Sequence, residues 1–266
     1  MRDQDFHALH RGTDRLLLLL NCWDAGSALM MQSLGAPAVA TSSAAVAWAQ
    51  GYGDGDQLPV ARLLDCVRAI ARRLTAPLSV DIEGGYSDDP AAVGETVAAL
   101  IGAGAVGINI EDGRAEPALL CRKIEQARAA AERAGVRLFI NARCDVYLKG
   151  LAPPEQRVAE SLRRAALYRA AGADGFFAAG ARAPDEIAAL VAGTPLPLNV
   201  LALAGVPPAA ELARLGVRRL SAGSGIAESV YARIAELGCD FLREGDGAAL
   251  SRQALPYGEL NALMSG

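Results

Sequence analysis

Short apolar runs of strand length alternate along the chain with longer segments rich in Ala, Leu and Arg, whose apolar positions recur with helical spacing. The apolar runs predict eight strands, at residues 16–21, 37–42, 77–82, 105–110, 136–141, 173–178, 196–201 and 217–221. The longer segments predict helices at residues 58–74, 90–102, 115–134, 154–171 and 183–192. Glycine precedes several of the strands, where it suits the left-handed end of a helix, so helix and strand repeat as a βα unit.

Eight βα units favour one particular closed fold. Strands that are apolar on both faces and alternate with helices indicate a parallel sheet covered by helices. Eight such strands predict a (β/α)8 barrel, an α/β fold that commonly occupies about 250 residues as one domain. We therefore expect a single barrel domain over residues 1–266, with a C-terminal helical extension at residues 247–266. In such a barrel, the chemistry lies at the carboxyl ends of the strands.

Charge and composition narrow the classes of partner. The chain has 26 basic and 30 acidic residues and a formal net charge of −4, so it offers no basic surface for a phosphate backbone, and no nucleic acid is expected to bind. The apolar run at residues 16–20 is far shorter than the roughly 20 residues of a membrane-spanning helix. Its flanks do not resemble a signal peptide, so we expect no membrane partner and a cytoplasmic location.

Cysteine and histidine usage restricts the chemistry further. The five cysteines form no CxxC pair, which argues against a disulfide framework and a zinc ribbon, and they are interpreted as reduced thiols. The two histidines, His7 and His10, both lie in the polar first dozen residues. A histidine base or a histidine-bound metal is therefore disfavoured, and carboxylates, arginine, hydroxyls or thiols remain for the chemistry.

Three carboxylates follow neighbouring predicted strands. Asp81 and Glu83 are two residues apart at the end of the third strand, which places them on one face, and Glu111 ends the fourth strand. Unpaired carboxylates would raise each other's pKa, so a divalent cation is expected among them. Oxygen ligands without histidine point to Mg²⁺, with Mn²⁺ as an alternative. The competing interpretation is that these acids pair with arginine or cap helices.

Arg143 and a glycine-rich loop supply two further candidates. Arg143 follows the fifth strand and could hold an anionic substrate group through two hydrogen bonds, or could instead form a salt bridge with one of the carboxylates. Asp54 lies in the loop 51–56 and could reach the barrel opening as an acid or base, although such a loop is also typical of a simple turn. Together with Glu111, these two residues form the candidate catalytic set.

An ordered set of short motifs at the predicted strand ends resembles the isocitrate lyase/phosphoenolpyruvate mutase superfamily. The motifs are Asn-Cys-Trp-Asp-Ala at 21–25, Thr-Ser-Ser-Ala at 41–44, Gly-Tyr-Gly-Asp-Gly at 51–55, Val-Asp-Ile-Glu-Gly-Gly at 80–85, Ile-Asn-Ile-Glu-Asp at 108–112, Asn-Ala-Arg-Cys-Asp at 141–145 and Pro-Leu-Asn-Val-Leu at 197–201. Each motif is weak by itself, but their order over about residues 15–240 is specific.

The resemblance implies a role for each matched residue. Asp81 would be the principal ligand of Mg²⁺, while Glu83, Glu111 and Asp54 would bind the ion through water. The residues implied to bind substrate are Ser42, Ser43, Ala44, Arg143 and Asn199. Asp81 and Trp23 near the barrel opening are further candidates for substrate binding, although an aromatic residue there is more often a packing residue. Members of the superfamily exchange a C-terminal helix between subunits, so a homotetramer or a dimer formed through that helix is expected.

One departure from the family pattern shapes the expected reaction. Lyases that act on isocitrate and 2-methylisocitrate carry a Lys-Lys/Arg-Cys-Gly-His motif after the fourth strand, but residues 113–118 here are Gly-Arg-Ala-Glu-Pro-Ala. The lid sequence of the mutases is also missing. The sequence therefore predicts a Mg²⁺-dependent lyase that cleaves a C–C bond in a small 2-oxo or 2-hydroxy carboxylic acid through an enolate. A phosphonopyruvate-type P–C mutase or hydrolase and a non-catalytic 2-oxo acid binding protein remain alternatives.

Overall fold

Eight parallel strands pair in chain order and close into a barrel in the computed structural model, which describes residues 2–12 and 16–265. The strands are β1 (Leu17–Cys22), β2 (Val39–Thr41), β3 (Leu78–Asp81), β4 (Gly107–Glu111), β5 (Phe139–Cys144), β6 (Gly175–Ala178), β7 (Leu198–Leu201) and β8 (Arg219–Ser221). The pairing of Leu17 in β1 with Arg219 in β8 closes the ring. Each strand overlaps one of the eight predicted runs, so the predicted (β/α)8 barrel is confirmed.

Helices connect successive strands, and others precede the first strand and follow the last one. They are α1 (Arg2–Leu9), α2 (Ala25–Ser33), α3 (Ser43–Ala49), α4 (Val60–Ala71), α5 (Pro90–Gly102), α6 (Pro117–Ala134), α7 (Arg157–Ala170), α8 (Pro184–Gly193), α9 (Ala209–Leu215), α10 (Gly225–Glu244), α11 (Ala248–Ser251) and α12 (Tyr257–Ser265). The five predicted helices are present, with ends that shift by at most three residues. A 3-10 turn at Pro154–Gln156 precedes α7.

The main hydrophobic core lies between the barrel strands and the helices that cover them. In α4, Leu63, Val67 and Ile70 recur at helical spacing and are buried, while the other positions of the helix are exposed or half-buried. Alternate residues of the short strands, such as Val80 and Ile108, point outward and pack beneath these helices. The other set of alternate residues points into the barrel, so polar side chains on that set are held inside an apolar shell.

The amino-terminal end of the barrel is closed by α1. Phe6 is fully buried against Phe139 of β5, and a Cβ added at Gly107 would lie 2.6 Å from the Phe6 ring, so only glycine leaves room for this plug. His10 is 2% exposed and stacks on Phe139 with 3.9 Å between ring centroids. The predicted helices do not include α1, and its polar composition gives no sign that His7 and His10 are both buried.

The carboxyl-terminal helices are much less buried than the barrel. Only Ala227 is buried in the long helix α10, and residues such as Ile234 and Leu242 are 57% and 88% exposed. The described part of the predicted extension, residues 247–265, contains α11 and α12. The Arg73 guanidinium donates to the carbonyl of Met264, which brings α12 back to the barrel. Among the described residues, no helix is both long enough and apolar enough to cross a membrane.

The burial of His10 predicts a loss of stability in mild acid. Burial, reinforced by the positive charge of Arg219, lowers the pKa of His10 from 6.5 to about 3, so the folded chain stays neutral here when the unfolded chain binds a proton. This contribution to folding is therefore present above pH 6.5 and decreases as the pH falls toward 3. We expect His10→Phe to remove about 2 kcal/mol of the stability difference between pH 8 and pH 5.

Urea unfolding of the wild type and the variant at both pH values measures this difference. Equal losses of unfolding free energy in the two proteins would contradict the assignment of the titration to His10.

Candidate active site

A cavity of about 270 Å³ opens at the carboxyl ends of the strands. Its lining comes from seven strands and from the loops and helix starts that follow the strands: Asn21, Ser42, Ser43, Ala44, Asp54, Asp81, Asn109, Arg143, Leu148, Phe177, Leu201, Leu203, Ser221, Gly223 and Ser224. A larger cavity of about 550 Å³ lies at the opposite end, beside His7 and His10. We place the site in the smaller one, because the loops that carry chemistry in these barrels follow the carboxyl ends of the strands.

Asp81 is the carboxylate that faces this cavity. Ser43 donates to its Oδ2 from both the hydroxyl, at 3.0 Å, and the backbone N–H, at 3.3 Å. Desolvation raises the pKa of Asp81, and the nearby Arg143 cation and the Ser43 hydrogen bonds oppose that rise. In the described part of the chain, no cation pairs directly with Asp81, so its charge is available to a ligand in the cavity.

Glu83 does not share a face with Asp81, and the prediction that it does is wrong. Strand β3 ends at Asp81, and Glu83 has a φ of 51° at the start of a glycine turn, which rotates its side chain away. Its Oε2 accepts from the backbone N–H groups of Gly55, at 2.8 Å, and of Asp56. Burial raises the pKa of Glu83, and the Asp56 hydrogen bond lowers it. Glu83 therefore fixes the loop that brings Asp54 to the cavity.

Glu111 and Arg143 belong to a cluster of two carboxylates and two cations. Arg143 lies 2.5 Å from Glu111 and 2.7 Å from Asp145, while Lys149 lies 3.0 Å from Asp145 and 3.5 Å from Glu111. Burial disfavours the charged form of Arg143, but Glu111, Asp145 and Asp81 outweigh it and raise the pKa of Arg143 above its usual range. Both cations are paired with the two carboxylates, so Arg143 does form the salt bridge, and its binding of an anionic substrate group stays a prediction.

The three predicted carboxylates do not converge on one point. Asp81 lines the site cavity, whereas Glu83 and Glu111 line a neighbouring cavity of about 300 Å³. Within residues 2–12 and 16–265, no group of three or more His, Cys, Asp or Glu side chains is arranged to hold a metal ion directly. The predicted convergence is wrong because strand β3 ends at Asp81 and the chain turns at Glu83, where φ is positive.

The buried carboxylate of Asp112 supports the cluster formed by Glu111, Arg143, Asp145 and Lys149. Asp112 is 3% exposed and accepts from Arg164 at 2.8 Å and from the Tyr168 hydroxyl at 2.6 Å. Its other oxygen accepts from the backbone N–H of Asp145 at 2.9 Å. Asp112 thereby ties α7 to the end of β5 and fixes the residue that holds Arg143.

The predicted substrate-binding residues are only partly brought together. Ser42 and Ala44 line the cavity beside Asp81, and Ser43 lies there with both of its donors directed to Asp81. Trp23 packs against the core and is outside the lining residues. Asn199 is 1% exposed and lies beneath the cavity, where its Oδ1 accepts from Ser221. The substrate contacts of Trp23 and Asn199 therefore stay predictions.

Several residues of the site escaped the sequence analysis. Phe177, Leu148 and Leu201 form an apolar wall, and nothing distinguishes them in sequence from core residues. Asp145 and Lys149 complete the arginine cluster, and their spacing of four residues is the signal that indicates a salt bridge within one turn. Burial raises the pKa of the Cys22 and Cys144 thiols, so neither supplies a reactive thiolate.

The fold and the site define a (β/α)8-barrel protein whose polar groups gather at the carboxyl ends of the strands. A family model described as phosphoenolpyruvate phosphomutase matches residues 6–240. The chain therefore belongs to this family, within the isocitrate lyase/phosphoenolpyruvate mutase superfamily, whose members are lyases and mutases.

Three relatives illustrate the range of the similarity. An uncharacterized protein of Mycobacterium tuberculosis is 38% identical over 268 residues, which cover 97% of this chain and 95% of that protein. An oxaloacetate decarboxylase of Bradyrhizobium sp. is 30% identical over 229 residues, covering 79% of this chain and 74% of the enzyme. A crystal structure of a Burkholderia cenocepacia protein assigned as a phosphonomutase is 42% identical, covers 89% of this chain and 98% of that one, and superposes with a TM-score of 0.84.

Removal of the Asp112 carboxylate should destabilise the whole barrel. Asp112→Ala removes one of the two carboxylate partners of the buried Arg164, which keeps Glu160, and it also removes the acceptor of the Tyr168 hydroxyl and of the Asp145 N–H. Together these losses cost about 3 to 5 kcal/mol of unfolding free energy. Asp88→Ala is the matched control, because the Asp88 side chain is 95% exposed and its loss should cost less than about 0.5 kcal/mol. Urea denaturation measures both values, and similar losses in the two variants would refute the supporting role of Asp112.

Proposed function

We propose that this chain is a Mg²⁺-dependent lyase that cleaves a C–C bond in a small 2-oxo or 2-hydroxy carboxylic acid through an enolate. The reaction is of the oxaloacetate decarboxylase or methylisocitrate lyase type. The similarity to an oxaloacetate decarboxylase over 79% of the chain supports this class of substrate. The arrangement of Arg143 is the single observation that carries the proposal.

Arg143 is oriented as a clamp for a carboxylate. Three of its N–H groups are directed to Glu111 and Asp145, through Nη1, Nε and Nη2. A guanidinium has five N–H donors, so one hydrogen on each terminal nitrogen remains outside these contacts. Because Arg143 lines the cavity, this pair of donors matches the two oxygens of a substrate carboxylate. The paired carboxylates keep the guanidinium in place before substrate binds.

The residues around Asp81 fit Mg²⁺ in one particular mode. Mg²⁺ usually keeps several waters and binds through one or two carboxylates together with its substrate. Asp81 supplies one such carboxylate, and its desolvation makes a cation in the cavity favourable. Asp54 lines the same cavity from its loop, while Glu83 and Glu111 are engaged elsewhere and would act through water. Mn²⁺ suits the same oxygen ligands.

The chain's own residues orient the substrate and exclude water. Arg143 holds one carboxylate, and Ser42 and Ala44 border the place of the other polar groups. Phe177 and Leu148 cover the cavity with apolar surface, which strengthens electrostatic interactions inside it. Bound Mg²⁺ would act as a Lewis acid that stabilises negative charge on the carbonyl oxygen. Fixing the substrate so that the scissile bond overlaps the carbonyl π system then lowers the barrier to cleavage.

A P–C mutase or hydrolase acting on a phosphonopyruvate-like substrate is the second candidate function. The 42% identity to a protein assigned as a phosphonomutase favours it. The same Arg143 clamp would bind the carboxylate of such a substrate. A chain that binds 2-oxo acids without catalysis is the third possibility, and the same assay separates all three.

A substrate panel tests the proposed reaction. We expect the protein to release a 2-oxo acid from oxaloacetate, isocitrate, 2-methylisocitrate or 2,3-dimethylmalate, to lose activity in excess chelator, and to recover it with Mg²⁺. Turnover of phosphonopyruvate alone would select the second function, and tight binding without any product would select the third. Full turnover of a panel acid in excess chelator would contradict the metal requirement.

The Arg143 clamp predicts a specific loss of binding. Arg143→Ala should weaken the binding of oxalate, an enolate mimic, by about 30-fold or more, since a buried charged hydrogen-bond partner is worth at least ~2 kcal/mol. Arg163→Ala is the matched control, because it removes an arginine paired with Glu160 on the exposed side of α7. Calorimetry measures both affinities, and an unchanged oxalate affinity in Arg143→Ala would exclude the clamp.

We also propose that α10 joins subunits into a homodimer or homotetramer. Its apolar side chains are largely exposed in the single chain, and Val230, Tyr231 and Ile234 lie on one face of the helix within about one turn. Light scattering after gel filtration should give a mass of two or four chains. Ile234→Glu should shift it toward the monomer, whereas Glu236→Lys on the same helix should not. A monomeric wild type at micromolar concentration would rule out this assembly.

A further inference from the structure

An arginine lies inside the barrel directly beneath the candidate site. Arg219 begins β8, is 1% exposed, and is the largest fully buried side chain of the described residues. Its Nε donates to Ser221 Oγ at 2.9 Å and its Nη2 donates to Asn109 Oδ1 at 3.2 Å. Both acceptors line the cavity above. Arg219 is therefore separated from a bound ligand by a single layer of side chains.

The hydrogen bonds of Arg219 leave its charge unpaired. In the described part of the chain, all of its acceptors are neutral groups, and Nη1 is buried without a partner. The Nδ2 group of Asn199, in the residue paired with Arg219 across the sheet, is a second buried donor without a partner. Burial lowers the pKa of Arg219 to about 9 and the Asp81 charge opposes this, so the guanidinium remains cationic at neutral pH. The described residues beneath the site thus include two buried donors without acceptors and one cation without an anionic partner.

A count of charges around the cavity shows what this cation can balance. Arg143 and Lys149 are paired with Glu111 and Asp145, so that cluster is neutral. Asp81 and Arg219 remain as the unpaired anion and cation in and beneath the cavity. Asp54 also lines the cavity, but its side chain is exposed, so water screens its charge. If the cavity holds a divalent cation and a dianion such as oxalate, those two charges cancel, and Arg219 balances Asp81. A monoanionic ligand would leave an excess positive charge instead.

We propose that Arg219 is a positioning residue that makes the site selective for dianionic over monoanionic carboxylate ligands. The inference rests on the proposed function and names a specificity residue for it. Arg219 does not touch the substrate. It acts through Asn109 and Ser221, which it orients, and through a charge that the apolar barrel does not screen.

Two substitutions separate the charge of Arg219 from its hydrogen bonds. Arg219→Gln retains an amide that can reach Ser221 or Asn109 but removes the charge, while Arg219→Lys retains the charge. Arg218→Gln is the matched control, because Arg218 lines the cavity at the opposite end of the barrel. Calorimetric titration in Mg²⁺ gives the affinity of each protein for oxalate, a dianion, and pyruvate, a monoanion.

We expect Arg219→Gln to bind oxalate about tenfold more weakly, equivalent to ~1.4 kcal/mol, while pyruvate affinity changes less than about threefold. Arg219→Lys should restore most of the preference, and Arg218→Gln should resemble the wild type. Equal losses for both ligands, or no loss for oxalate, would overturn the charge role. A wild type that binds neither ligand would instead refute the proposed function itself.

A measurement on the wild type covers the case in which Arg219→Gln does not fold. Arginine labelled with ¹⁵N in the guanidinium gives NMR signals, and the Arg219 signal is identified by its disappearance in Arg219→Lys. We expect this signal to shift on addition of oxalate and to shift less with pyruvate. A signal that ignores both ligands, while calorimetry detects their binding, would overturn the proposal.

Discussion

Charged side chains enclosed by an apolar barrel must find partners inside it, and this requirement determines how the site is built. Asp81 has two donors on Ser43, and Arg143 lies between Glu111 and Asp145. Breaking one partner of such a buried pair costs several kcal/mol, so the arrangement is rigid before any ligand arrives. Asp81 and Arg219 have no ionic partner in the described part of the chain, so a ligand in the cavity can compensate their charges. The cost of an unpaired charge in an apolar interior therefore explains both the rigidity of the site and its preference for a charged ligand.

The surrounding fold keeps these polar groups at fixed positions. Asp112 joins α7 to the backbone at Asp145, and Glu83 holds the loop that carries Asp54. Inside the barrel, a Cβ at Gly175 would lie 2.7 Å from Asn141 Oδ1, so glycine at this position leaves room for the polar layer. Asn141 in turn donates to Asn109, which forms part of the cavity floor. The positions of the cavity groups thus depend on contacts several residues away from them.

Local sequence patterns were sufficient to predict the barrel, but they were insufficient to predict that α1 closes its amino-terminal end. The strands could be predicted because each is an apolar run between helices, and the runs overlap β1 to β8. Helix α1 could not, because its polar residues conceal Phe6 and the two histidines, whose burial depends on contact with the distant Phe139. The carboxylates show the same limit. Asp81 faces the cavity as predicted, but the strand periodicity does not continue to Glu83, where the chain turns at a positive φ.

The central claim is that Asp81 and Arg143 together bind a metal ion and a 2-oxo acid in one cavity. A crystal structure of the protein with Mg²⁺ and oxalate tests it most directly. The account predicts the cation on the Asp81 side of the cavity and an oxalate carboxylate on the two outward donors of Arg143. Both ions located away from these residues, or oxalate bound at the opposite end of the barrel, would contradict it.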